Sequence, residues 1–135
     1  MFDTKVALVV RDDLMTWQKL NVVAFLATGV AAGAPDALGD PYVDAAGTTY
    51  GRMLIQPMMI YAADVDALRK VHRKALEREL AIVPYVAAMF RTGHDADNRR
   101  AFREENIDAM DFVGLAVRGP KNAVDKTVKG LSLHV

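Results

Sequence analysis

Apolar residues along the chain gather in four short runs set between segments of helical or irregular pattern. The first, KVALVV from Lys5 to Val10, is rich in β-branched residues, almost continuously apolar and closed by charges. It predicts a strand buried on both faces, hence helices on both sides of a sheet. The next segment carries Leu20, Val23, Ala24, Ala27 and Val30 at helical spacing, with Thr16 placed to cap it and Gly29 and Gly33 near its end. This predicts a helix from about Trp17 to Ala32. Residues 34–52 (APDALGDPYVDAAGTTYGR) are dense in turn formers and predict a long loop with a small hairpin around AAGTT, long enough to border a site.

MLIQPMMIYAA, Met53 to Ala63, reads as a second strand with Pro57 at a bulge or edge position. DVDALRKVHRKALEREL then predicts a helix capped by Asp64, with Val65, Leu68, Val71, Ala75 and Leu76 facing inward. AIVPYVAAMF is a third apolar run, residues 98–106 suit a polar helix, and DFVGLAVRG supplies a fourth strand ending at Gly119 and Pro120. PKNAVDKTVKG predicts a last helix, with Pro120 in its first position and Gly130 at its end. Strands alternating with helices point to an α/β fold: one three-layer α/β/α domain over residues 1–135, with a four-stranded mixed or mostly parallel sheet.

Composition narrows the function classes. The 135 residues include 17 basic and 17 acidic side chains, so the chain offers polyanions no global attraction. No run approaches the roughly 18 apolar residues of a membrane span. The start MFDTKVALVVRDD has neither a basic leader nor a cleavage signal, which predicts a cytoplasmic protein without membrane contact. With no cysteine, the chain has no disulfide, thiolate metal site or cysteine nucleophile. His72, His94 and His134 lack ligand spacing, so neither a metal nor another cofactor is expected, and His94 with Asp95 and Asp97 suits a solvated turn better than a metal site. The basic run RKVHRK, with Arg69, Lys70, Arg73 and Lys74, reads as a solvated helix face, and Met58 and Met59 as core packing. Nucleotide-loop and nucleophile-elbow motifs are absent.

Ligands of open α/β sheets generally bind beyond the carboxyl ends of strands, which selects residues 11–19, 89–98 and 118–122. Lys19 stands out, because the helix dipole disfavours a cation in a first turn. It either reaches back to Asp12 or Asp13, or points into a cleft to hold a phosphate, carboxylate or developing oxyanion. Asp13 suits a structural role, accepting backbone N–H groups in the turn. Arg11, Arg91, Thr92 and Arg118 lie at or just beyond the predicted strand ends, and Lys19, Thr92 and at least one of these arginines are expected to ring one cleft able to hold phosphate or sulfate, with Asp13 bracing the turn beneath. In the opposing reading the arginines pair with Asp12, Asp95 and Asp97 and no such site forms.

Three stretches resemble a known family. KVALVVRDDLMTWQKLNVV is similar, after removal of one loop residue, to the first strand and turn of peptidyl-tRNA hydrolase 2, with Lys5, Val9, Val10, Arg11, Asp13, Leu14 and Lys19 matching. QPMMIYAADVDALRKVHRKALERELAIVPYV looks like that family's second strand, central helix and third strand, and RGPKNAVDKTVKGLSL looks like its closing segment. The chain stands nearer to a group of uncharacterised bacterial proteins of the same fold. The resemblance implies a metal-independent hydrolysis of the ester joining peptide to tRNA, or of a related acyl ester. Lys19 and Thr92 would be the catalytic residues, and a homodimer is implied; Arg11, Asp13, Arg91 and Arg118 come from the strand-end reading above, as anion- or substrate-binding residues. The match is incomplete: Ala88 stands where the family has a catalytic Asp, Gln18 replaces its Gly, and HDADNRRAFREENIDAM is inserted after Thr92, where Asp95 or Asp97 is a candidate substitute. The competing expectation is a non-catalytic module that keeps the cleft for a small anion, tRNA or another RNA, or a partner.

Overall fold

The computed structural model describes residues 3–135, and its elements follow the apolar runs. Five strands, β1 (Thr4–Arg11), β2 (Met58–Ala63), β3 (Ala81–Val86), β4 (Phe112–Pro120) and β5 (Ser132–Leu133), form one open mixed sheet in the order β3-β4-β1-β2-β5. Only β1 and β2 run parallel, and every other neighbouring pair is antiparallel. The expected four strands thus become five, and the sheet is mixed rather than mostly parallel. The two-residue β5, paired to Tyr61 and Ala62, is too short to leave a periodic signal.

Four helices accompany the sheet: α1 (Thr16–Gly33), α2 (Val65–Glu77), α3 (Asp95–Arg103) and α4 (Lys121–Thr127). The alternation along β1 sorts the core into two clusters. Val6, Leu8 and Val10 pack with Val22, Leu26 and Val30 of α1, whereas Ala7 and Val9 lie with Leu68, Val71 and Ala75 of α2 and Val124 of α4. On the α1 side one helix covers the sheet, and it lies over β1, β3 and β4 rather than β2. Its close approach needs Gly29 and Gly114. A β-carbon at Gly29 would lie 2.5 Å from Val83 Cγ1, and one at Gly114 would lie 2.6 Å from Val22 Cγ1.

Several expectations are corrected in detail. The residue preceding α1 is Met15 rather than Thr16, and its backbone N–H donates to Gln18 Oε1 at 3.0 Å, so a helix side chain reaching back satisfies the cap residue's N–H. Leu20, expected inward, is 66% exposed, while Val22, Leu26 and Val30 are buried. The α1 sequence is apolar almost all round, so periodicity leaves its core face undetermined. On α2 the Asp64 cap is present, accepting from Ala67 N–H at 2.8 Å. His72 is buried there and Leu76 is exposed.

β2 begins at Met58, after Pro57, because Leu54 instead bridges to Leu38 and closes the base of the loop. α3 starts three residues earlier than the expected 98–106, at Asp95. Asp95 and Asp97 complement the positive helix end and pair with Arg99 and Arg100 one turn on. Pro120 closes β4 and caps α4 rather than occupying its first turn. Within residues 39–55, Val43 bridges Thr49 around a turn containing Gly47 at φ 86°, which is the hairpin read from AAGTT.

Candidate functional site

The strand directions set which predicted residues can meet. β1 and β2 run together and β3 runs with them, so Arg11, Ala63 and residues 87–92 lie at one end of the sheet. Arg118 belongs to the antiparallel β4 and sits opposite Val6 and Ala81, at the other end. There it donates from Nε to Gln56 Oε1 at 3.1 Å and from Nη2 to Thr4 Oγ1 at 3.2 Å. Buried Gln56 in turn donates to Thr4 O, so Arg118 completes a polar network at the base of the sheet and does not join the expected cleft.

Arg11 is at the right end but is engaged. Its Nε and Nη2 donate to the two oxygens of Asp13 at 2.8 and 3.0 Å, and Nη1 donates to Asp111 at 3.0 Å. Two carboxylates around one guanidinium leave no positive charge for a ligand. Asp13 therefore serves Arg11 first and the backbone of the turn only in a lesser bond from its own N–H, and the guanidinium holds its carboxyl below the ordinary value. Arg91 is exposed at the end of a 3₁₀ turn, Ala87–Arg91, and has no ion-pair partner among the described residues.

Lys19 and Thr92 line different clefts. Lys19, with Thr16, Leu20 and Val23, faces Val10, Ile60 and His134 across a space of about 280 Å³ beside β2. Thr92 belongs to a second space of about 370 Å³ on the β3 side, walled by Trp17, Phe25, Tyr85, Met89 and Phe90, with Asn21, Gly93, His94, Asp95 and Asn98 completing it. At ~100° per residue, Trp17, Asn21 and Phe25 lie roughly 150° around α1 from Thr16, Lys19, Leu20 and Val23. Helix α1 stands between the two expected catalytic residues. Ala88, at the position where the sequence comparison placed an Asp, packs against the core on the α2 side. Asp95 and Asp97 are held by Arg99 at 2.7 Å and Arg100 at 3.2 Å.

The second space is the larger and more aromatic of the two. Trp17 meets Phe90 edge-on at 6.1 Å, and Tyr85 contacts Phe90 at 5.3 Å and Phe25 at 5.9 Å, a chain of rings from two separated segments. Tyr85 is fixed between strand and helix, with Asn21 Nδ2 3.5 Å from its hydroxyl, and burial pushes its phenol up in pKa. The Thr92 hydroxyl lies 3.1 Å from the Met89 carbonyl and is also bonded to Asn98. Aromatic walls with a few convergent amides and hydroxyls, beyond the carboxyl end of a strand, are the features of small-molecule sites. No Lys or Arg lines this space, and its one carboxylate, Asp95, is paired with Arg99.

Of the residues lining this space, sequence reasoning singled out Thr92, His94 and Asp95 but not Trp17, Asn21, Phe25, Tyr85 or Phe90. The signal was present in part: Trp17, Asn21 and Phe25 recur every four residues, a second stripe distinct from Val22, Leu26 and Val30.

Comparison with known proteins gives one family and one near neighbour. The family model described as "Protein of unknown function (DUF2000)" matches residues 4–135. A solved structure of a protein of unknown function, Atu0240 from Agrobacterium tumefaciens strain C58, is 47% identical over 100% of both chains, with a TM-score of 0.97. No curated protein matches significantly. The family match overturns the likeness to peptidyl-tRNA hydrolase 2: the model that matches is that of a family of unknown function.

Proposed function

The chain belongs to the DUF2000 family of proteins of unknown function, and from its pocket geometry we propose that it is a binding module for a small, flat, uncharged heteroaromatic compound. The observation that carries this reading is the run of ring contacts from Trp17 through Phe90 and Tyr85 to Phe25 around a space of about 370 Å³ edged by Asn21, Thr92 and Asn98. Ring faces supply stacking, and a carboxamide offers both donor and acceptor to the edge of a heterocycle. A hydrolytic reading needs Lys19 and Thr92 to act on one substrate, and their placement in separate clefts weighs against it. Lys19 remains an anion-binding candidate in its own cleft.

Trp17 is the single tryptophan and is 57% exposed beside the space, so its fluorescence reports on occupancy. Titration with adenosine and with nicotinamide is expected to give a saturable change, while cyclohexanol gives none. Phe90→Ala should weaken the ring ligand at least fivefold, on a scale of ~1–3 kcal/mol per stacked base, and Lys19→Ala should leave it unchanged. No saturable response to either ring compound up to several millimolar sinks the reading, as does binding indifferent to Phe90→Ala. Salt-sensitive binding of inorganic phosphate that Lys19→Ala abolishes would favour the anion cleft instead.

A further inference from the structure

Between the 3₁₀ turn Pro35–Ala37 and β2, residues 39–55 form a hairpin that leaves the body of the protein. It is well ordered by its own bonds. Gly39 N–H donates to Met53 O at 2.9 Å, Tyr50 N–H to Tyr42 O at 2.7 Å, and the Asp44 carboxylate accepts from Ala46 N–H, Thr48 N–H and the Tyr50 hydroxyl. Those three donors hold the Asp44 carboxyl below its ordinary pKa, the backbone bond from Thr48 first. Yet Tyr42, Val43, Tyr50, Met53 and Ile55 are each more than half exposed. Leu54 packs on the α1-side core at the base of the hairpin, and a rigid hairpin that leaves its other large apolar side chains exposed has already lost the conformational freedom that docking would otherwise remove.

Surface area points the same way. The chain exposes 8376 Å², against roughly 7,000 Å² for a compact monomer of this mass. The excess, roughly 1,400 Å², exceeds the ~800 Å² that each partner gives to a standard protein interface. A receptor of matching character exists on the same molecule. Because α1 leaves β2 uncovered, Val10, Leu20, Val23 and Ile60 line an apolar cleft with Lys19 at its rim. The arm joins the sheet near the start of β2, whereas Lys19 lies near the carboxyl end of β1, and a two-fold axis across the strands exchanges these two ends between copies. Asp40 in the arm, without an ion-pair partner among the described residues, complements Lys19. The net charge of zero sets no long-range repulsion between copies. Strand addition at the sheet edges is disfavoured by Pro84 in β3 and by the two-residue length of β5.

We infer that residues 39–55 dock as an arm into the cleft beside Lys19 of a second copy of this chain, giving a reciprocal homodimer. This does not depend on the ring-binding pocket, which lies on the other side of α1. Sedimentation velocity at 5–50 µM, concentrations set at about those of a micromolar dimer, should give a species of twice 14.8 kDa. Val43→Asp in the arm and Leu20→Asp in the cleft, both at exposed positions, should each raise the dimer dissociation constant at least tenfold with the circular dichroism spectrum unchanged. Mixing the two variants should restore association in part, since one intact arm then meets one intact cleft. A monomeric wild type overturns the inference. So does a dimer that either substitution leaves untouched, or a mixture that stays monomeric while each variant remains folded.

Discussion

Gly114→Ala tests how the sheet and α1 set both clefts, because the glycine sits where the helix comes closest to β4. The added β-carbon would stand 2.6 Å from Val22 Cγ1, 3.2 Å from the Val9 carbonyl oxygen and 3.3 Å from Leu26 Cδ1. Ordinary carbon contacts begin at about 3.5 Å, so the helix must rise by roughly 1 Å or Val22 must leave its rotamer. Valine has one strongly preferred rotamer in a helix, which closes the second route. Overpacking of this kind costs about 1–3 kcal/mol, while alanine restricts the unfolded chain and returns about 0.4–1 kcal/mol. The net expectation is a loss of about 1–2 kcal/mol.

Urea unfolding with an unchanged slope gives the number directly. Val22→Ala removes the obstructing methyls, so the double variant should be more stable than the sum of the two single effects by at least about 1 kcal/mol. Because Trp17 rides on the same helix, its fluorescence should also shift in Gly114→Ala and return toward wild type in the double variant. Stability equal to or above wild type in Gly114→Ala, or strict additivity of the two substitutions, would refute the close approach of α1 to β4.

Two further outcomes follow from buried or capped groups. His72 is buried with its ring 4.9 Å from Phe112, and burial first, then the nearby Arg73 charge, lowers its pKa from the ordinary 6.5. The fold therefore favours the neutral ring; its contribution is fully present above pH 6.5 and is lost as pH falls below that value toward the lower folded pKa. Urea midpoints should decline between pH 7.5 and 5.5, about a unit either side of that value, and His72→Leu should flatten the decline. The carboxylates of Asp13 and Asp44, lowered from 3.8, lose their contributions only at more acid pH, so the two windows separate. Asp64→Ala removes the bond to Ala67 N–H at 2.8 Å and should cost about 1 kcal/mol in the same assay, with Asp64→Ser recovering most of it.

Much of the fold was legible in residue order, because local chemistry controls it. KVALVV could only be a strand covered on both sides, Asp64 could only begin a helix, and AAGTT turned where Gly47 takes positive φ. The loop read over residues 34–52 was visible from its turn formers, though its hairpin runs on into residues read as strand, and Arg11, Lys19 and Thr92 do lie beside sheet or helix ends. What the chain order did not specify was direction and rotation. Reversal of β4 carries Arg118 to the far end of the sheet, a consequence of pairing between strands more than a hundred residues apart. The roll of α1, ambiguous in a helix apolar nearly all round, separates Lys19 from Thr92 and turns Trp17, Asn21 and Phe25 toward Tyr85 and Phe90. Periodicity records which residues share a face of one element; only packing between elements decides which faces meet.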